Sequence, residues 1–285
     1  MGKTDTLKEI IARKKERIAQ AQQSLPEAEL IARLTGLPPT RPFLQAVNRP
    51  RQISLIAEIK KQSPSQGLLR EAFNPAAIAA VYQQAGAQAV SVLTEEDFFA
   101  GAPGFINEVK QAVALPVLRK DFILEPYQVY ESRLIGADAI LLIADILSKE
   151  TLMDLIRRAD ALGMDCLVEV HDEKELKKVL GLKIMPEPPQ PDALKVSSRK
   201  AARKTIEFML GINNRNLRTL EVDLKTTERL YPLVPKDRVV VVESGIKQYQ
   251  DVLFLKVLGV NAILVGEVLM RSADVQSQIL DLMGW

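Results

Sequence analysis

The segment Ile135-Gly136-Ala137-Asp138-Ala139 leads directly into the apolar run at residues 139–143. Glycine takes positive φ at no steric cost, so it suits the point where a helix ends and the chain turns at once into a strand. A similar segment, with a glycine between a predicted helix and a predicted strand, recurs at residues 85–89, 162–165 and 258–262. This repeat predicts a chain in which helices alternate with parallel strands.

Eight short apolar runs, four of them next to these glycine segments, predict strands. Amphipathic stretches separate most of these runs. Eight such units in roughly 230 residues match an α/β fold of the (β/α)8 TIM barrel type. The alternative is an open doubly wound sheet, which usually carries a glycine-rich fingerprint after its first strand. Residues 60–67 hold that place here and read Lys-Lys-Gln-Ser-Pro-Ser-Gln-Gly, so we predict the barrel. The predicted strands are 55–59, 89–93, 117–120, 139–143, 166–170, 208–212, 239–242 and 262–265, and the predicted helices include 75–84, 104–113, 149–161 and 250–258.

Two segments do not fit the barrel pattern. Residues 1–50 contain helical stretches at 7–21 and 26–34, which predicts an N-terminal helical extension packed on a barrel at 51–285. Residues 180–205 combine closely spaced prolines with a basic run and predict an exposed inserted loop. A regulatory or docking role for this loop is the alternative to a solvated loop without a ligand.

The composition is that of a soluble globular protein, with 47% hydrophobic and 26% charged residues among 285. A formal net charge of +2 gives no reason to expect nucleic acid or a membrane surface as a partner. No apolar run approaches the roughly 20 residues of a membrane span and no signal-peptide core is visible, so we expect a cytoplasmic protein. The single cysteine, Cys166, and the single histidine, His171, exclude an intrachain disulfide and a Cys-rich or His-rich metal site.

Polar residues collect where the predicted strands end, which is where TIM barrels build their active sites. Because side chains alternate across a strand, Lys120 shares a face with Leu118 and Phe122. We expect partial desolvation to lower the pKa of Lys120 and suit it to donate a proton; the alternative is a lysine that reaches out to water. Unpaired buried ions are costly, so a functional site explains the whole set better than core packing does. The polar residues predicted to face the mouth are Glu58, Lys60, Lys120, Glu169, Asn213, Arg215, Glu243 and Glu267.

Two glycine turns follow the last two predicted strands, at Gly245 and Gly266. Backbone N–H groups can approach a ligand at such turns, and the helix starts that follow favour an anion. We therefore predict a phosphate site there, which Ser63 of the first loop would help to close. A tight turn without a ligand is the alternative.

Six motifs run through the chain in order: Ile56-Ala57-Glu58-Ile59-Lys60 with Ser63-Pro64-Ser65, Leu118-Arg119-Lys120-Asp121-Phe122-Ile123, Leu167-Val168-Glu169-Val170-His171, Gly211-Ile212-Asn213-Asn214-Arg215-Asn216-Leu217, Glu243-Ser244-Gly245-Ile246 and Val265-Gly266-Glu267. With them the chain resembles the indole-3-glycerol phosphate synthase family of tryptophan biosynthesis over nearly its whole length. The resemblance implies a ribulose-phosphate-binding TIM barrel. The chain departs from the family at residues 180–205, which are longer than usual, and at Val268, where a small or hydroxylated residue is common.

The resemblance also implies a reaction and a set of roles. The substrate would be 1-(2-carboxyphenylamino)-1-deoxyribulose 5-phosphate, which closes to an indole ring with loss of CO2 and water. By similarity Lys120 is the general acid and Glu169 the general base. Lys60 would hold the substrate carboxylate or phosphate and help with later proton transfers, and Glu58 would fix its position. No metal or organic cofactor is needed. Asn213 and Ser244 are the other two residues that the resemblance assigns to the catalytic set, in which they would orient the sugar hydroxyls and carboxylate. The residues assigned to substrate binding are Ser63, Phe122, Leu141, Ile143, Arg215, Glu243, Gly245, Gly266 and Glu267.

Two other functions compete with this reading. A phosphoribosylanthranilate isomerase would use a thiol at the mouth, but Cys166 is predicted to face outward and His171 to lie in a surface loop. A catalytically silent barrel that binds a partner would bind a substrate analogue without making indole. We expect a phosphorylated small molecule as ligand and a monomer, with a weak dimer as the alternative.

Overall fold

The computed structural model of the chain describes residues 6–186 and 205–285. Eight parallel strands form a closed barrel in which each strand pairs with the next along the chain and the last pairs with the first. The strands are β1 (Ser54–Ile59), β2 (Ala89–Leu93), β3 (Val117–Lys120), β4 (Ala139–Ile143), β5 (Asp165–Val170), β6 (Met209–Asn213), β7 (Val240–Glu243) and β8 (Ala262–Val265). A two-stranded antiparallel ribbon, Gln62–Ser63 with Gly67–Leu68, follows β1.

Helices surround this barrel, and several begin where the sequence supplies a cap. The side chains of Asn74, Ser148, Asp172 and Asp274 each accept a hydrogen bond from an N–H group of the first turn that would otherwise lack a partner. The helices are α1 (Thr6–Ser24), α2 (Glu27–Ala32), α3 (Phe43–Val47), α4 (Pro75–Gln84), α5 (Gly104–Ala112), α6 (Pro126–Leu134), α7 (Lys149–Ala161), α8 (Glu173–Leu180), α9 (Lys225–Leu230), α10 (Tyr249–Leu258), α11 (Glu267–Arg271) and α12 (Val275–Met283).

The core has two layers because successive side chains of each strand point to opposite faces. Leu55 and Ala57 of β1 pack outward against the helices, whereas Ile56 between them packs inside the barrel. The barrel interior is filled by aliphatic side chains, including Leu118, Leu141, Leu167, Met209, Val241 and Leu264. The interior is therefore a packed core, and the strand ends above it form the floor of a cavity.

Helix α1 lies against the mouth of the barrel. Leu7 and Ile10 pack into the interior cluster, and Lys14, which is 3% exposed, has its Nζ 2.9 Å from Oδ1 of Asp121 just after β3. A lysine buried at that depth is stabilised by its ion pairs, since an unpaired buried charge is costly. The N-terminal helix is thus joined to the strand end that carries Lys120.

The predicted fold is confirmed, and the errors of the sequence prediction are mainly at element boundaries. The glycines of the repeated phrase take positive φ, for example 91° at Gly86 and 94° at Gly136, as a sharp turn from helix to strand requires. Residues 187–204, most of the predicted insertion, lie outside the described residues. Leu182 and Ile184 within its first part are buried against the outer core layer, so the expectation of an exposed loop is wrong for them. Within the described part of the chain, no helix is both long and apolar enough to cross a membrane.

Candidate active site

The ends of four strands bring three carboxylates and two lysines together. On β1, Lys60 Nζ lies 2.5 Å from Oε1 of Glu58. Lys120, at the end of β3, has its Nζ 2.9 Å from Oε2 of Glu243 on β7 and 3.4 Å from Oε2 of Glu169 on β5. The side chains of the three glutamates are at most 3% exposed. Each charge is therefore held by its neighbours and not by bulk water.

These carboxylates determine the protonation of Lys120. Burial alone would lower its pKa, but the negative charges of Glu243 and Glu169, with a smaller effect of Glu58, hold the pKa above the ordinary value for lysine. The expectation of a lowered pKa was therefore wrong. That expectation considered only the apolar neighbours of Lys120 on its own strand. The carboxylates that raise its pKa come from other strands of the barrel. Lys120 therefore carries its positive charge at neutral pH.

Glu169 and Glu243 share this lysine but differ in their pKa values. Burial raises the pKa of Glu243 to about 7, since Lys120 offsets only part of the desolvation and neighbouring carboxylates add repulsion. Burial also disfavours ionised Glu169, but Lys120, His171 and a hydrogen bond from Asn213 outweigh it and hold the pKa well below its usual range. Oε1 of Glu243 is buried and has no hydrogen-bond partner among the described residues. At neutral pH Glu169 is therefore the more fully ionised carboxylate of the two.

His171 is not the surface-loop residue that we expected. Its side chain is 12% exposed, with Nε2 3.0 Å from Oε1 of Glu169 and Nδ1 3.2 Å from Oε2 of Glu175. Burial acts to lower the pKa of His171, but the two carboxylates outweigh it and raise the pKa to about 10. Nε2 does not meet the geometry of a hydrogen bond to Glu169, so the contact is an ion pair. The sequence carried a signal, since His171 stands two residues after Glu169, but the position of Glu175 was not predictable from it.

The loop after β6 supplies amide and guanidinium groups on one side of the mouth. Asn213 is 5% exposed, and its Oδ1 accepts a hydrogen bond of 2.9 Å from the backbone N–H of Arg215. The guanidinium of Arg215 donates to Ser65 Oγ at 3.3 Å and lies 3.3 Å from Oε2 of Glu267. Arg215 thus connects the loop after β1, the loop after β6 and the start of α11.

The opposite side of the cavity is apolar. Phe122, Leu141 and Ile143, all predicted, line it and are buried. Sequence reasoning missed Leu7 and Ile10 of α1, because their helical period predicts an apolar face but not what that face covers. Phe99, Leu217 and Leu264 are among the other apolar residues that line the cavity. This part of the cavity suits an aromatic ring.

Two glycines make room for the buried carboxylates. A Cβ atom at Gly266 would lie 2.3 Å from Oε1 of Glu58, and one at Gly211, which the prediction omitted, would lie 2.7 Å from Oε1 of Glu243. The signal for Gly211 was a glycine inside a predicted strand, which often marks a close approach. At the other turn, Ser244 and Gly245 take φ values of 65° and 84°. A glycine is needed at Gly211 and Gly266 by the site itself, in addition to any approach of a ligand.

All the residues predicted from the sequence line one cavity at this mouth, although their roles stay predictions. They are Glu58, Lys60, Ser63, Lys120, Phe122, Leu141, Ile143, Glu169, Asn213, Arg215, Glu243, Ser244, Gly245, Gly266 and Glu267.

One acidic group among the described residues brings its carboxylates within 4.8 Å of one another, namely Glu95, Glu96 and Asp97. Glu96 pairs with Lys14 at 2.8 Å and Asp97 with Arg17 at 2.7 Å, while Glu95 accepts backbone N–H groups of its own turn. These carboxylates are thus already paired within the protein, and we assign no metal to them.

Comparison with known proteins gives a consistent family. The family model described as indole-3-glycerol phosphate synthase matches residues 7–185 and 197–282. An indole-3-glycerol phosphate synthase of Acetivibrio thermocellus is 48% identical over 237 residues, 83% of this chain and 82% of the relative. One from Rhodopirellula baltica is 43% identical over 269 residues, 94% of this chain and 95% of the relative.

Solved structures of lower identity share the fold. A 3-hexulose-6-phosphate synthase from Salmonella typhimurium superposes with a TM-score of 0.55 at 14% identity, covering 81% of this chain and 97% of that one. An N-acetylmannosamine-6-phosphate 2-epimerase from Clostridium perfringens gives 0.52 at 17% identity, covering 82% and 93%. At such identities the likeness concerns the barrel alone.

Proposed function

Since the chain belongs to the indole-3-glycerol phosphate synthase family, we propose that Lys120 is the general acid of its ring closure and Glu169 the general base of its dehydration. The enzyme is a carboxy-lyase of tryptophan biosynthesis. It converts 1-(2-carboxyphenylamino)-1-deoxyribulose 5-phosphate to indole-3-glycerol phosphate, CO2 and water. The observation that carries the assignment of roles is the contact of Lys120 with Glu169 and Glu243 at the floor of a cavity that is apolar on one side.

Ring closure forms a carbon–carbon bond and needs a proton. The ring carbon that bears the carboxylate attacks the ketone carbon, and the ketone oxygen takes a proton to become a hydroxyl group. A developing alkoxide is nearly as basic as hydroxide, whose conjugate acid has a pKa of about 15.7, so transfer from a charged lysine is favourable. The raised pKa of Lys120 keeps that proton in place until the alkoxide develops.

Loss of CO2 follows, because the electrons of the breaking carbon–carbon bond restore the aromatic ring. Dehydration then breaks the bond to the hydroxyl group, which takes a proton from an acid and leaves as water, while a base takes a proton from the adjacent carbon. The electrons of that C–H bond form the double bond of the indole, and Lys60 is the candidate for the acid. An ionised carboxylate with a low pKa is available for that proton at neutral pH, and Glu169 has this property. Lys120 lies 3.4 Å from Glu169, so one substrate position would reach both groups.

The other residues divide between the two ends of the substrate. Phe122, Leu141 and Ile143, with Leu7 and Ile10, would hold the aromatic ring. Lys60, positioned by Glu58, would hold the substrate carboxylate or phosphate and take part in later proton transfers. Asn213, Arg215, Glu243, Ser244 and Glu267 would orient the sugar hydroxyls and carboxylate, and the phosphate would bind at Ser63, Gly245 and Gly266.

The roles of the acid and the base are separated by measuring CO2 and indole independently. We expect Lys120→Ala to release neither product at an appreciable rate, because ring closure precedes decarboxylation. We expect Glu169→Gln to release CO2 faster than indole, so that a ring-closed intermediate accumulates. Equal loss of both products in Glu169→Gln would contradict its assignment to dehydration. Circular dichroism of both variants checks that the barrel is intact.

The N-terminal extension, the oligomeric state and the cellular location are further proposals. We propose an N-terminal extension at 1–50 that belongs to the site, since Leu7 and Ile10 line the cavity. The monomeric state, the cytoplasmic location and the absence of a nucleic-acid partner are predictions from composition and charge.

A further inference from the structure

His171 contacts Glu169 but is not among the described residues that line the cavity. It is held from two sides, with Nε2 3.0 Å from Oε1 of Glu169 and Nδ1 3.2 Å from Oε2 of Glu175. The same oxygen of Glu175 accepts the backbone N–H of His171 at 2.8 Å. Backbone and ring are therefore fixed by Glu175, and the other ring nitrogen lies within ion-pair distance of Glu169.

The position of Glu175 is itself fixed. It lies in the first turn of α8, where its backbone N–H donates to the capping side chain of Asp172 at 2.8 Å. Glu175 is 8% exposed, so its charge is held by His171 more than by water. Helix α8, whose apolar face packs on the barrel, thus presents an anion to the only histidine of the chain.

Lys120, Glu169, His171 and Glu175 form a row of alternating charge that runs from the cavity to the outer helices. Lys120 contacts Oε2 of Glu169, while His171 contacts Oε1. The charged and polar groups that face Glu169 from the other elements are Lys120 of β3, Asn213 of β6 and Glu243 of β7. The groups that face His171 are Glu169 of β5 and Glu175 of α8. A carboxylate that forms an ion pair at each of its two oxygens has little freedom to rotate and little tendency to take up a proton.

We propose that His171 is a positioning residue for Glu169: the imidazolium, clamped by Glu175, fixes the orientation of the Glu169 carboxylate and keeps it ionised for the dehydration step. The proposal rests on the role of Glu169 as general base. It assigns His171 no contact with the substrate. It also assigns Glu175 a function, since neutralising Glu175 removes the charge that holds the imidazolium in place.

The first test follows the imidazole itself by NMR in untagged protein, in which His171 is the only histidine. We expect the ring to be protonated at pH 8, where an ordinary histidine with a pKa of about 6.5 is neutral. Glu175→Gln should lower the midpoint of titration by about 1 to 3 pH units. The matched control is Glu173→Gln, which removes the same charge from an exposed position of the same helix turn and should leave the midpoint unchanged.

The second test measures kcat against pH for His171→Gln. We expect KM to stay close to the wild-type value, while kcat falls roughly tenfold to a hundredfold because the base is no longer held in place. Loss of the cation raises the pKa of Glu169, so the acid limb of the kcat profile should move up by about 1 to 3 pH units. A merely structural histidine would change stability and leave that limb in place. If His171→Gln does not fold, Glu175→Gln is expected to show the same direction of change to a smaller extent.

An imidazole that is neutral at pH 8, or an acid limb that stays in place in the variants, overturns the proposal for His171. A separate result would show that Glu169 does not have the role on which this proposal rests. If Glu169→Gln keeps full turnover, then Glu169 is not the general base, and the catalytic part of this inference falls with it whatever the NMR titration shows.

Discussion

Nζ of Lys120 lies 2.9 Å from Oε2 of Glu243, although the two residues are 123 positions apart in the chain. Closure of the barrel brings them together, because β3 and β7 lie on opposite sides of an interior only a few side chains wide. The second oxygen of Glu243 has no hydrogen-bond partner among the described residues. Glu243 is therefore a buried carboxylate that an ion pair stabilises at one oxygen alone.

Glu243→Gln tests the raised pKa of Glu243 through the pH dependence of stability. The pKa of Glu243 is raised from 4.5 to about 7, so the folded state binds its proton more tightly than the unfolded chain. The stabilising contribution of this residue is fully present below pH 4.5 and is lost as pH rises to about 7. We expect wild type to lose, relative to the variant, on the order of 3 kcal/mol across that window. Urea denaturation at several pH values measures this difference, and parallel curves would contradict the raised pKa.

Gly266→Ala tests the close packing of Glu58. The new Cβ atom would meet Oε1 of Glu58 at 2.3 Å, so the carboxylate that holds Lys60 must move. We expect kcat/KM to fall by up to roughly a hundredfold and stability to fall by about 1 to 3 kcal/mol. The control is Gly104→Ala, which adds the same methyl group where nothing lies within 4 Å and should leave both quantities nearly unchanged. Equal behaviour of the two variants would show that the approach of Glu58 to Gly266 does not matter.

Lys14→Met tests the attachment of α1 to the mouth. The substitution leaves Asp121, whose side chain is fully buried, with Arg119 as its remaining cationic partner. Breaking a buried ion pair by removing one partner is costly, and we expect a loss of about 3 kcal/mol in the free energy of unfolding. Lys15→Met is the matched control, since Lys15 is exposed on the same helix. Identical denaturation midpoints for the two variants would contradict a stabilising role of the Lys14–Asp121 contact.

The features that the sequence predicted correctly are local. Alternation along β1 assigns Ile56 to the interior and Leu55 to the helix layer, and the structure has both there. Glycine before four of the predicted strands predicts a turn with positive φ, as at Gly86 and Gly136. Active sites of such barrels form where the strands end, so these local patterns, together with the family resemblance, led to candidate residues that line one cavity.

The features that the sequence did not predict depend on contacts between distant segments. Lys120 has a raised pKa because of carboxylates on β5 and β7, which its own strand does not reveal. His171 is buried because α8 places Glu175 against it. The cover that Leu7 gives to the cavity likewise depends on where α1 packs, which no periodicity within that helix specifies.

The rate of indole formation by Lys120→Ala is the most direct measurement of whether Lys120 is the general acid. Purified wild type, Lys120→Ala and the control Lys61→Ala are compared by indole fluorescence with the carboxyphenylamino sugar phosphate as substrate. Lys61 adjoins the site in sequence but has been given no role in it. We predict that Lys120→Ala lowers kcat roughly 100-fold to 10,000-fold, as expected for loss of a general acid, while Lys61→Ala stays close to wild type. Turnover of Lys120→Ala near the wild-type rate would contradict the account.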